Sequence, residues 1–103
     1  MINILPVSLF LATKWEAFKN RGGDPRTSHD FEDIIYVIDN NIEIVDDVLN
    51  SEKEVQDFLK SMCLELLSHS FRNEIIESHL NPNTRDERRK IIISKLEKIL
   101  KIQ

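Results

Sequence analysis

The chain has 103 residues, of which 41% are hydrophobic and 31% charged, and carries a formal net charge of −4. That length supports one domain around one modest core, and the balance is that of an ordered globular protein, not a disordered tail. Only two glycines and three prolines occur, no apolar run approaches the roughly 20 residues that cross a bilayer, and the N-terminus lacks the basic start and small-residue cleavage site of a secretory signal.

Residues 1–5 read as the remnant of a strand or linker entering from a preceding segment, and Pro6 suits the first turn of a helix. The first predicted helix runs to about Asn20 and stops at Gly22-Gly23. At about 100° of rotation per residue, Val7, Phe10, Leu11 and Phe18 share one face and Lys14 falls in its middle. An ammonium group there is costly unless it is paired, hydrogen-bonded or able to reach water. Asp30 and Asp33 lie one turn apart near the start of the second helix and point the same way. If the Gly22-Gly23-Asp24-Pro25 turn folds the two helices back on each other, Lys14 faces both carboxylates across the seam.

The second helix, capped by Thr27 or Ser28, buries Phe31, Ile34, Ile35 and Ile38 and ends at Asn40-Asn41. Asp30 lies near its positive end, so capping and dipole duty alone would also account for that residue. A short third helix, Ile42 to Leu49, is expected to turn Ile42, Val45, Val48 and Leu49 inward and to leave Asp46 and Asp47 in water. Ser51 and Glu54 have the spacing of a capping box. The helix after them carries Val55, Phe58, Leu59, Met62, Cys63, Leu66 and Leu67 on one wide apolar face, which marks it as the central core helix. A short helix over Arg72 to Leu80 carries Ile75, Ile76 and Leu80 and is closed by Asn81-Pro82-Asn83. Thr84 and Glu87 form a second capping-box pattern, ahead of a terminal helix with Ile92, Leu96, Ile99 and Leu100 on one side, broadened by Ile91 and Ile93. The sum is a single all-α domain over residues 1–103, a compact bundle of five to six helices.

Charge is unevenly spread. From Asp30 to Asp57 nearly every charged side chain is acidic, whereas Arg85, Arg88, Arg89, Lys90, Lys95, Lys98 and Lys101 make the last helix basic. Either the two regions attract each other within the fold, or the basic helix approaches RNA or an acidic partner. The single cysteine, Cys63, permits no internal disulfide and makes a reducing cytoplasm the expected compartment. Within its apolar face Cys63 reads as a small buried hydrophobe and not a nucleophile. The His29-Asp30 dipeptide matches that of HD phosphohydrolases, yet no histidine precedes His29 to complete their metal site. His69 and His79 are too far apart for a metal pair on one helix, and neither a phosphate loop nor a serine elbow is present. No metal site is expected from these residues.

The run Leu11-Ala12-Thr13-Lys14-Trp15-Glu16-Ala17-Phe18, the Arg21-Gly22-Gly23 loop and Ser28-His29-Asp30-Phe31-Glu32-Asp33-Ile34-Ile35 resemble the C-terminal motifs of bacterial nucleotidyltransferase-like proteins. These include the AbiEii/AbiGii-type toxins of abortive-infection and toxin-antitoxin systems, and the resemblance covers about residues 8–38. It implies a helix whose lysine, here Lys14, contacts nucleotide phosphates, followed by a helix whose acid, here Asp30 or Asp33, completes the active site. Arg21, in the connecting loop, reads either as a solvated loop arginine or as a second phosphate contact. The G-S turn and strand-borne D-x-D pair that bind the divalent ions of phosphoryl transfer do not occur in this chain. The resemblance therefore implies an inactive helical C-terminal half, with Mg and a nucleoside triphosphate entering only with an N-terminal catalytic half or partner protein. The acceptor stays open. The alternative is an orphan interaction module, a homodimer or a toxin-antitoxin-type partner without enzymatic activity. In that case an apolar patch on the first helix, formed by Val7, Leu11, Trp15 and Phe18, is expected to be exposed.

Overall fold

Local chemistry sets the link between the first two helices in a computed structural model of the chain, which describes residues 6–102. The expected strand or linker at residues 1–5 lies outside the described residues. Six helices and no strand are present among those described: α1 (Val7–Arg21), α2 (His29–Asn40), α3 (Ile44–Leu49), α4 (Lys53–Ser68), α5 (Arg72–Glu77) and α6 (Arg85–Leu100). The fold is the expected all-α bundle. Its radius of gyration, 13.0 Å, matches the value of about 13 Å for a folded chain of this size.

Pro6 precedes α1 without donating an amide, and Gly22 closes it, donating its N–H to the Phe18 carbonyl at 2.8 Å. Gly22 and Gly23 adopt φ values of +71° and +96°, a region closed to most side chains but open to glycine. Two such residues in succession reverse the chain. Ser28, not Thr27, caps α2, its hydroxyl accepting from the Phe31 amide at 3.2 Å. Thr27 instead donates its hydroxyl to the Asp24 carbonyl inside the turn.

The core is aliphatic and continuous, built on Leu11 and Trp15 from α1, Phe31, Ile34, Ile35 and Ile38 from α2, and Leu59, Met62, Cys63 and Leu66 from α4, with Ile92, Leu96 and Ile99 of α6 against them. Helix α4 packs on α1, α3, α5 and α6, while α6 packs on α2, α3, α4 and α5. The central role expected of α4 is thus shared with α6.

Several expectations need correction. The buried stripe of α1 runs through Ser8, Leu11 and Trp15, so Lys14 lies at its margin and not in its middle. The apolar patch expected to lie open on α1 is not exposed: Leu11 and Trp15 are buried, and Val7 and Phe18 are half-buried against the core. Helix α3 begins at Ile44, two residues later than expected, because Asn41 to Glu43 form a turn. That shift buries Ile44 and Val48 and leaves Ile42 92% and Leu49 52% exposed. Neither capping box forms, since Glu52 and Thr84 occupy the N-cap positions of α4 and α6 without side-chain capping bonds. Ser51 is engaged elsewhere, its Oγ lying 2.8 Å from the Asp47 carbonyl and 2.6 Å from Ser8 Oγ. It ties the end of α3 to α1.

Part of the basic helix is engaged inside the fold. Arg88 donates to the carboxylate and carbonyl of Asp39, Arg89 pairs with Glu77 and Asp86, and Lys95 donates to the carbonyls of Ile38 and Asn41 at 2.7 and 3.0 Å. Lys95 thus satisfies carbonyls left over at the end of α2. Burial pushes its pKa down from the ordinary lysine value, against the pull of Asp39.

The contrast between buried and exposed aliphatics sets a direct test. Leu59→Ala, at a fully buried position, is expected to cost about 2–5 kcal/mol in urea unfolding. Ile42→Ser should change stability by less than about 0.5 kcal/mol. A large loss at Ile42 would place α3 in the register first expected from the sequence.

Candidate functional site

Helices α1 and α2 pack closely on each other, and the polar edge of their contact gathers four charged side chains. The reversal at Gly22-Gly23 runs α2 back along α1, so Lys14 in the middle of α1 meets the first turns of α2. Lys14 Nζ lies 2.9 Å from Asp33 Oδ2 and 3.8 Å from Asp30 Oδ1. Arg21, at the end of α1, donates to Asp30 Oδ2 at 2.8 Å. All four residues singled out in the sequence, Lys14, Arg21, Asp30 and Asp33, therefore meet at one seam.

Exposure divides their roles. The Asp30 side chain is only 7% exposed and bridges both cations, whereas Asp33 is 48%, Lys14 28% and Arg21 72% exposed. A buried carboxylate is tolerated when cations and donors surround it, and Asp30 additionally sits in the first turn of α2, where the helix dipole favours negative charge. The structural and charge-positioning readings of Asp30 thus coexist in one side chain. Lys14 also lies over the Phe10 ring, 5.6 Å from its centroid, an attraction of cation and π face. Its ammonium is held between a buried acid, an open acid and an aromatic ring.

The connecting turn is fastened from the far side of the molecule. Asp24 Oδ1 accepts from the Arg26 amide at 2.9 Å, and the same carboxylate takes the Arg26 guanidinium, which reaches on to Glu74 of α5 at 2.9 Å. Hydrogen bonds from Arg26 hold the Asp24 carboxyl below the usual carboxylate range. His79 Nε2 donates to the Pro25 carbonyl at 2.7 Å. These residues were not singled out for the site from the sequence. The Asp24-x-Arg26 spacing signals only a local turn, and the partners on α5 and at its end are about 50 residues away in the chain.

The chemistry open to this arrangement is binding and charge placement. Lys14 and Arg21 offer ammonium and guanidinium donors suited to phosphate. Asp30 and Asp33 are each committed to a cation, and no group of three or more His, Cys, Asp or Glu side chains able to hold a metal forms among the described residues. Magnesium coordination therefore does not fit these four residues. His29 is exposed beside Glu32, and His69 accepts from the Phe71 amide. Cys63 is buried in the core, where desolvation pushes its thiol up to about 12. No family model matches the chain, and neither a curated protein nor a solved structure shows significant similarity to it.

Two outcomes are expected at these groups. A double-mutant cycle between Lys14 and Asp33 should return a coupling of about 0.2–1 kcal/mol, as for partly exposed pairs, while Asp30→Asn should cost more, about 1–3 kcal/mol, because two cations lose their shared anion. Equal costs at Asp30 and Asp33 would refute the division of roles. The Cys63 thiol should be unreactive toward Ellman's reagent at pH 8 until the protein unfolds. Its ionisation is near 9.0 when unfolded and about 12 when folded, so its contribution to stability is intact below pH 9 and is lost as pH rises through that interval.

Proposed function

We propose that this chain is the helical, nucleotide-contacting half of a nucleotidyltransferase-like protein, inactive by itself and completed by a strand-rich half that brings the metal-binding carboxylates. The observation that carries the reading is the convergence of Lys14, Arg21, Asp30 and Asp33 on one solvent-reachable seam. Three of them, Lys14, Asp30 and Asp33, are the positions that match the motifs resembling the AbiEii-type family.

In this reading Lys14 and Arg21 take the triphosphate. Phosphoryl and nucleotidyl transfer call chiefly for positioning and for cations where negative charge develops. Asp30, buried and shared by both cations, fixes where they stand. Asp33, half in water, is the group that can turn aside when a phosphate oxygen arrives at Lys14, and in the assembled enzyme it is the acid that faces the reacting groups. Mg and the nucleoside triphosphate belong to the assembled form, with RNA, protein or a small molecule as acceptor.

Titration of the isotope-labelled chain with MgATP, followed by amide NMR, tests the reading. Shifts centred on residues 14, 21, 30 and 33 are expected at weak affinity, about millimolar, which corresponds to roughly −4 kcal/mol. Lys14→Ala should abolish them with the helical circular dichroism unchanged. Asp33→Asn, which frees Lys14 from its open partner, should tighten binding. Shifts distributed elsewhere, or an unaltered response in Lys14→Ala, would remove the nucleotide from this seam.

A further inference from the structure

The packing of α1 on α4 carries a second feature. Two hollows of about 480 and 620 Å³, the first between α1, the end of α3 and the start of α4 and the second between α1 and α4, share Val55 in their lining. Their floor is apolar, made by Val7, Leu9 and Ala12 of α1 and Val55 and Phe58 of α4, with Leu9 and Phe58 among the exposed large hydrophobics. Contiguous apolar surface framed by charge is the usual mark of a docking site.

The frame is strongly one-signed. Asp47, Glu16, Glu52, Glu54 and Glu65 line the hollows, against a single cation, Lys19, which is already paired with Glu65 at 2.8 Å. Glu16, Glu52 and Glu54 make no ion pair among the described residues, in contrast to α6, where Arg88, Arg89 and Lys90 are all paired within the chain. Unpaired like charges around an apolar floor raise the energy of the free protein and favour a partner that supplies the opposite sign.

We infer that the α1–α4 groove is a docking site for a lysine- or arginine-bearing amphipathic segment of a partner protein, whose apolar side chains fill the floor while its cations meet Glu16, Glu52 and Glu54. The acidic frame repels nucleic acid and anionic lipid. A second copy meeting this face by a two-fold axis would set acid against acid, and that disfavours self-association here. The inference is independent of nucleotide binding, because none of Lys14, Arg21, Asp30 and Asp33 lines either hollow.

A fluorescein-labelled helical peptide of about 16 residues, leucine at i, i+3, i+4 and i+7 spacing and lysine elsewhere, is the probe, read by anisotropy with the full chain. Binding is expected to weaken at least about tenfold in Glu16→Lys/Glu54→Lys, and by a similar factor when the leucines are replaced by serine, a tenfold change being 1.4 kcal/mol. Raising the salt concentration should weaken it further. Both substituted glutamates are exposed, and amide NMR on the unaltered protein gives a second readout that needs no variant, with shifts expected at Leu9, Ala12, Val55 and Phe58. Equal affinity for a glutamate version of the peptide, shifts mapping to another surface, no binding at all, or a dimer in light scattering that Glu16→Lys dissolves would each overturn the proposal.

Discussion

The antiparallel pairing of α1 and α2 is the constraint on which the rest of the molecule depends. It requires the chain to reverse within a few residues, and the two glycines with positive φ at positions 22 and 23 make that reversal accessible. Once it is made, Leu11 and Trp15 meet the apolar stripe of α2 and create the platform on which α4 and α6 close. The same reversal sets Lys14 opposite Asp33 and Arg21 opposite Asp30. Core and charged seam are two edges of one contact.

How much of this was legible in the sequence depends on the range of the interaction. The stop of α1 at Gly22, a cap at Thr27 or Ser28 and the meeting of Lys14 with Asp30 and Asp33 follow from neighbours in the chain and from helical spacing, and they could be read from one sequence. Helix α3 shows the opposite case. In a six-residue helix the hydrophobic period is sampled less than twice, so Ile42 and Ile44 compete for the buried position on equal local terms. Packing against α1 and α6 decides between them. The capping serine at position 51 was misread for a related reason, since its hydroxyl serves a contact with Ser8, 43 residues away. The α1–α4 groove was invisible, because a surface hollow belongs to two helices at once.

The terminal helix illustrates how net charge misleads when it is read segment by segment. Its cations form a run in the sequence, but in the fold three of them are spent on the ends of other helices, Arg89 on Glu77 of α5 and Arg88 and Lys95 together on the C-terminus of α2. A basic stretch facing an acidic one across a core is an internal device for orienting helices, at least as much as it is a footprint for an external ligand. The acidic rim beside Val55 has no such internal counterpart, Glu16, Glu52 and Glu54 making no ion pair among the described residues.

The clasp on the connecting turn has one further consequence. Arg26, within the turn, reaches Glu74 of α5, and His79, just past that helix, holds the Pro25 carbonyl, so the side chains at either end of the turn are held in place during folding rather than on encounter with another molecule. The conformational entropy of ordering that edge is thus settled in advance. An anion arriving there would exchange places with a carboxylate already present, a substitution among counterions that leaves the backbone still.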